Sequence, residues 1–215
     1  MRSLHTFKKV VLGFSLLALG ACAGTGNNHY MLSTQAQNET FETMTFKTLP
    51  AAEKVRLAVN SADPSFQFKG GYSHYEALAL PDMSQAYVLQ LESEVVRTAQ
   101  QGKGEIFFPV LTFLDAKKQA INTYDALPYT MQTPFYARKH IRASIKISGA
   151  LADARYVVIH TTDKKLDQAI ASGDGKSILQ SGGFNTMVFA PITKPRYRTN
   201  FGREGWVRVL AYLPQ

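Results

Sequence analysis

Four acidic side chains have the chemistry a glycoside hydrolase would need. Glu92 and Glu94 fall on one face of an alternating segment, and Asp115 and Asp125 lie further along the chain. Such hydrolysis uses two carboxyl groups across the scissile bond, one giving a proton and the other acting as base or nucleophile. Nothing in the linear order brings two of the four into one pocket, so Glu92 and Glu94 read as part of a solvated strand face. His29, His74, His140 and His160 stand apart from one another. No two are at i, i+2 or i, i+4 and none adjoins a carboxylate cluster, so no metal is expected. His140 reads as a solvated sheet residue. Gly175-Lys176-Ser177 looks like the end of a phosphate-binding loop, but Ile170 stands where that pattern requires its first glycine. A glycine stop after a helix is the simpler reading there. No Gly-x-Ser-x-Gly elbow is present, and the single cysteine, Cys22, has no partner thiol. The residues point away from an enzyme and from any cofactor.

Aromatic side chains carry more promise as a binding site. Tyr124, Tyr129, Phe135 and Tyr136 crowd one segment, with Pro128 and Pro134 between them. A tyrosine can lay its flat face on the C–H face of a sugar ring while its hydroxyl takes a polar partner. Plugging one end of the core is the competing role. Near the C-terminus, Lys194, Arg196, Tyr197, Arg198, Arg203, Trp206 and Arg208 interleave base and aromatic. Tyr124, Tyr129, Tyr136 and Trp206 are the ligand-binding candidates. The basic cluster itself reads as a solvated loop edge, or as a contact for an anionic glycan or a partner protein.

The elements that must position these residues are strands. Lys139 to Ser148 alternates without a break: Ile141, Ala143, Ile145 and Ile147 face one way, and His140, Arg142, Ser144 and Lys146 the other. Such alternation predicts a sheet with one wet face. Ala86 to Val96 repeats the pattern, with Tyr87, Leu89 and Leu91 opposite Gln90 and Glu92. Ile106 to Leu114 is apolar on both faces and reads as one central, doubly covered strand. Pro109 inside it demands an edge position or a bulge, because proline has no N–H to donate. Leu166, Ala169 and Ile170 are spaced as a helix that Thr162 or Asp163 would cap. A long loop over 182–199 precedes a last strand over 205–213. The chain reads as mainly β, an antiparallel β-sandwich of jelly-roll type with one or two short helices, forming a single domain over 41–215.

The N-terminus is read as an address. Arg2, Lys8 and Lys9 precede an apolar run from Val10 to Leu19, the layout of a secretory signal and too short to span a bilayer. Leu19-Gly20-Ala21-Cys22 resembles the lipobox of bacterial lipoproteins, in which the cysteine is acylated and becomes the new N-terminus. Residues 1–21 are then a signal peptide, and 22–40 a polar tether with a mean reach of about 25 Å. Ala23 lacks the aspartate of inner-membrane retention, so the expected home is the inner leaflet of the outer membrane, facing the periplasm. Removal of the signal leaves 21 basic and 16 acidic side chains, a net of +5. A basic domain invites a nucleic-acid reading, but an exported one does not meet that partner.

Phe108-Pro109-Val110-Leu111-Thr112-Phe113-Leu114-Asp115 followed by Tyr124-Asp125, then Arg155-Tyr156-Val157-Val158-Ile159-His160-Thr161-Thr162-Asp163-Lys164-Lys165-Leu166, resembles the maltose-operon periplasmic protein (MalM) family. Ser93-Glu94-Val95 and Leu80-Pro81 add to the likeness. The resemblance implies a non-enzymatic accessory protein of maltose or maltodextrin uptake, binding an oligosaccharide or a porin or transporter of the outer membrane. The alternative is a scaffold lipoprotein that binds a cell-envelope polymer or protein and no sugar. The family brings no catalytic residue with it. The tail from Lys194 to Arg208 departs from its pattern.

Overall fold

The computed structural model describes residues 40–97, 103–132, 134, 138–166, 169–173, 176–180 and 197–214. Cys22, Tyr136 and the proposed signal and tether lie outside them. Sixteen strands account for most of the described chain: β1 (Lys47–Thr48), β2 (Val55–Val59), β3 (Ser65–Phe68), β4 (Gly71–His74), β5 (Glu76–Ala79), β6 (Tyr87–Arg97), β7 (Lys103–Phe107), β8 (Val110–Leu114), β9 (Ala120–Tyr124), β10 (Thr130–Gln132), β11 (His140–Ile147), β12 (Tyr156–His160), β13 (Ala169–Gly173), β14 (Lys176–Gln180), β15 (Tyr197–Gly202) and β16 (Gly205–Tyr212). One four-residue helix, α1 (Asp163–Leu166), and two 3₁₀ turns complete the described elements.

These strands form a sandwich. The smaller sheet runs in the order β1-β5-β12-β8-β9. The larger is centred on β6, which pairs antiparallel with β11 through Tyr87–Glu94 and with β16 through Val88–Ser93. Its last residues, Val95 to Arg97, pair with β7. β2 extends the sheet beyond β16, β10 beyond β11, and β15, β13 and β14 beyond β7. Pairing is antiparallel except at β1–β5 and β7–β15, which run parallel.

One core cluster joins the sheets. Leu78, Leu111, Phe113, Val157 and Ile159 from the smaller sheet meet Leu57, Leu89, Leu91, Ala143, Ile145, Val207 and Val209 from the larger. All are buried, and each large apolar side chain of this kind contributes about 2 kcal/mol by leaving water. The smaller sheet is covered on its other face too. Met44 and the hairpin residues Phe66 and Phe68 pack there on Ala77, Leu114 and Val158, with Phe41 and Phe46 against them. That second cover explains why every residue of β8 is buried and why its sequence does not alternate.

The apolar run over 106–114 is therefore two strands, not one. β7 belongs to the larger sheet and β8 to the smaller. Phe108-Pro109 carries the chain between them, which places the residue without an N–H outside either ladder. The buried Ser93 hydroxyl donates to the Phe107 carbonyl where the chain leaves the larger sheet.

The helix expected through Ile170 ends at Leu166, and Ala169 to Gly173 is a strand paired with β14 and β15. A four-residue helix contributes little by itself, and sheet pairing outweighs the periodicity. Lys176-Ser177 opens β14 opposite Gly173 and Ser172, so the segment belongs to a hairpin. Tyr197 to Thr199 lies in β15, so strand begins before the expected loop ends.

Candidate functional site: a charged row on the larger sheet

β6 turns Leu89, Leu91 and Ser93 into the core and Gln90, Glu92 and Glu94 outward, as strand alternation requires. The register then decides what Glu92 meets. It stands directly opposite Arg142 on β11 and directly opposite Arg208 on β16, and Arg208 in turn stands opposite Arg56 on β2. A row Arg142–Glu92–Arg208–Arg56 thus crosses four strands. Opposite charges at directly opposed positions attract across the ladder.

Side-chain geometry uses this row fully. Glu92 Oε1 accepts from Arg142 Nε at 3.1 Å and Nη2 at 2.7 Å, and from Gln90 Nε2 at 3.1 Å. Glu92 Oε2 accepts from Lys54 Nζ at 3.2 Å. Glu94 Oε2 accepts from Arg56 Nη2 at 3.1 Å, and Arg138 Nη1 lies 3.8 Å away. Arg208 Nε sits 3.3 Å from both Glu92 Oε2 and Glu94 Oε1, in ionic contact with each and in hydrogen-bond alignment with neither. The Glu92 carboxyl titrates below the usual carboxylate range. Burial alone would raise it, but the Lys54 hydrogen bond and charge, the Arg142 hydrogen bonds and the Arg208 charge together outweigh the lost hydration.

Two expectations are corrected here. Glu92 and Glu94 are not solvated: the cations above them shield them almost completely, leaving 1 % and 5 % exposed. His140 is likewise buried: its Nδ1 bonds the Arg138 carbonyl at 3.0 Å, and its Nε2, 3.9 Å from Glu92 Oε1, has no hydrogen-bond partner among the described residues. Long arginine and lysine side chains lie over the sheet and exclude water from shorter groups beneath.

Of the aromatic candidates the structure describes Tyr124, Tyr129 and Trp206, and it packs the first two against the same core cluster. Tyr129 donates its hydroxyl to the Pro109 carbonyl at 2.9 Å and meets Phe108 edge-on with ring centroids 4.7 Å apart. Its hydroxyl is pushed well above the usual tyrosine range by burial. Tyr124 is half-buried and packs edge-on to Phe113 on the smaller sheet. Trp206 lies on the larger sheet, 37 % exposed, with the Arg56 guanidinium 4.0 Å above its ring. Of the basic C-terminal cluster, Arg203 pairs with Asp163 at 3.0 Å, and Trp206 and Arg208 are strand residues, not a loop edge. Lys194 and Arg196 lie outside the described residues.

Of the other polar candidates, Asp125 is exposed and His29 lies outside the described residues, while Asp115, His74 and His160 are committed to structure. Asp115 accepts from the backbone N–H groups of Lys117 and Gln119 at 2.8 and 2.9 Å, closing the turn between β8 and β9. His74 Nδ1 bonds the Asp63 carbonyl at 2.8 Å. His160 stacks on Phe68 with centroids 3.5 Å apart. Its Nδ1 lies 3.0 Å from the Thr161 carbonyl, which can only accept, so Nδ1 carries the proton. Its Nε2 then accepts from the Thr112 hydroxyl at 3.1 Å. Burial lowers its pKa to about 4, leaving it neutral. Among the described residues no group of three or more His, Cys, Asp or Glu could hold a metal ion.

Sequence reading missed the charged row because its members come from four strands, over positions 56 to 208. The available signal was parity: Glu92, Arg142 and Arg208 each occupy the outward phase of an alternating strand.

The stretch from residue 70 to residue 195 matches the family described as "Maltose operon periplasmic protein precursor (MalM)". No curated protein and no solved structure matches the chain. Glu92, Glu94, Arg138, His140 and Arg142 fall inside the matched stretch, while Lys54, Arg56, Trp206 and Arg208 fall outside it. The match spans more than half of the chain and includes strands of both sheets, and the protein belongs to the MalM family of maltose-operon periplasmic proteins.

Proposed function

We propose that the chain is a lipid-anchored, non-enzymatic accessory protein of maltose and maltodextrin uptake that works by binding. Its anchor is the acylated Cys22, its location the periplasmic face of the outer membrane, and its partner an oligosaccharide or an outer-membrane porin or transporter. Family membership supports the maltose-operon context. The observation that carries the binding reading is the ion-paired sheet face around Glu92. An acid catalyst must hold a proton near the working pH. Glu92 stays ionised, and both its oxygens already accept from Lys54 and Arg142. The face is built to present fixed charges and an indole, Trp206.

Thermal unfolding of the mature chain with maltodextrins of increasing length tests the sugar arm. Ligand at a hundredfold excess over its dissociation constant adds about 2.7 kcal/mol. A rise that grows with chain length supports the sugar reading. No shift at millimolar sugar removes it. Replacing Cys22 with serine tests the anchor: the reading requires the protein to move from the membrane fraction to the soluble periplasm.

The packing of Tyr124 and Tyr129 favours a second reading, a scaffold lipoprotein with a polymer or protein partner and no sugar. Retention of the porin on the immobilised chain, with no sugar response, would select docking to the transporter. Retention of cell-wall polymer alone would select the scaffold.

A further inference from the structure

Charge on the outer face of the larger sheet is not balanced. Lys54, Arg56, Arg138, Arg142 and Arg208 surround Glu92 and Glu94, and the same face adds exposed Lys146 on β11 and exposed Glu105, opposite Val96 on β7. The carboxylates are buried, but Arg138, Arg56 and Lys54 keep 65, 46 and 41 % of their side-chain surface in solvent. The paired carboxylates therefore hold the cations in place without cancelling them. An excess of three positive charges faces outward.

Apolar surface accompanies that charge. The exposed large hydrophobic residues among those described are Val96, Trp206 and Leu213. Val96 follows Glu94 by two positions on β6, and Trp206 precedes Arg208 by two on β16, so both occupy the outward phase of their strands. Trp206 is held beneath Arg56. Indole and aliphatic surface beside clustered arginine and lysine suits the headgroup layer of a membrane. The ring sits at the level of the headgroups, and each cation gains from the negative surface potential. An acidic protein segment would be served by the cations alone.

We propose that this face binds the phosphate groups of an anionic lipid surface. Arg56, Arg138 and Lys54 contact phosphate, and Trp206 and Val96 lie against the headgroup layer. Recognition of this kind needs no acyl anchor, although an anchor at Cys22, if present as proposed above, would raise the local lipid concentration.

The test uses the mature chain, residues 22–215, carrying Cys22→Ser, so that no acyl chain contributes. Vesicles of phosphatidylcholine alone are compared with equal parts of phosphatidylcholine and phosphatidylglycerol. Trp206 is the single tryptophan of the chain, so indole emission reports this face alone. The expected result is co-sedimentation with the anionic vesicles only, a blue shift of the emission, and loss of both at high salt. Arg56→Gln with Arg138→Gln should weaken binding by about tenfold or more. Lys117→Gln, on the turn after β8, should leave it unchanged. Should the double variant unfold, the salt dependence and emission shift of the parent chain decide alone. Equal binding to neutral vesicles, no binding to anionic ones, or no emission change overturns the proposal. Inorganic phosphate reproducing the full emission shift would assign the face to soluble phosphate instead. Polyglutamate binding as strong as vesicle binding would assign it to an acidic protein.

Discussion

Arg142 donates two N–H groups, Nε at 3.1 Å and Nη2 at 2.7 Å, to one oxygen of Glu92 across directly opposed positions of β11 and β6. Arg208 opposes the same Glu92 from β16. The carboxylate is thus the common counter-ion of two neighbouring strands. Glu92→Gln should cost about 2 kcal/mol, because the cations would then repel one another over a dry site. The figure is below that for a fully buried pair because Arg142 and Lys54 keep 39 and 41 % of their side-chain surface in solvent. Urea unfolding of the single variant, and of Glu92→Gln with Arg142→Gln, gives the coupling. The double variant should recover part of the loss, and strict additivity would refute the pairing.

Tyr129 separates a packing role from a sugar-binding one. Tyr129→Phe removes the bond to the Pro109 carbonyl and should cost about 1 kcal/mol. Tyr129→Ala also removes the ring beside Phe108 and should cost about 3 kcal/mol. Calorimetric melting gives both values. A Tyr129→Ala variant that melts with the parent yet loses maltodextrin binding would return Tyr129 to the candidate site.

His160 imposes an acid sensitivity. Its folded pKa is about 4, against about 6.5 in an unfolded chain. Above pH 6.5 both states are neutral and the stability is fully present. As the pH falls below 6.5 the unfolded chain takes up a proton that the folded one refuses, so stability declines until about pH 4. The total is roughly 3 kcal/mol. His160→Gln should flatten this part of the pH profile while lowering stability at neutral pH through loss of the stack on Phe68. Unfolding midpoints measured in steps across this window decide, and a profile unchanged by the substitution would count against the burial argument.

Gly205 opens β16 where it passes β7. A β-carbon there would lie 2.7 Å from Cβ of Phe107, itself fully buried. Gly205→Ala should therefore destabilise by about 2 kcal/mol through displacement of a packed ring. An unchanged melting temperature would show that β16 and β7 move apart there without cost.

Local pattern by itself determined much of this protein. The alternation of Lys139 to Ser148 and of Ala86 to Val96 is a property of neighbouring residues, so β6 and β11 and their inward faces were legible directly. The residues around Phe108 and Tyr156 likewise pointed to the family to which the chain belongs. Only the tertiary structure decided what each outward face meets. Register between β2, β16, β6 and β11 sets Arg56, Arg208, Glu92 and Arg142 in one row, and register depends on pairings between segments far apart in sequence. The same holds for Phe108-Pro109, where one apolar run divides between two sheets because each half finds a different partner. It holds also for Ala169 and Ile170, whose helical spacing gives way to pairing with β14 and β15. Burial of Glu92, Glu94 and His140 follows from neighbours three strands wide. No pattern along a single strand contains that information, because the shielding side chains reach across the sheet from other strands.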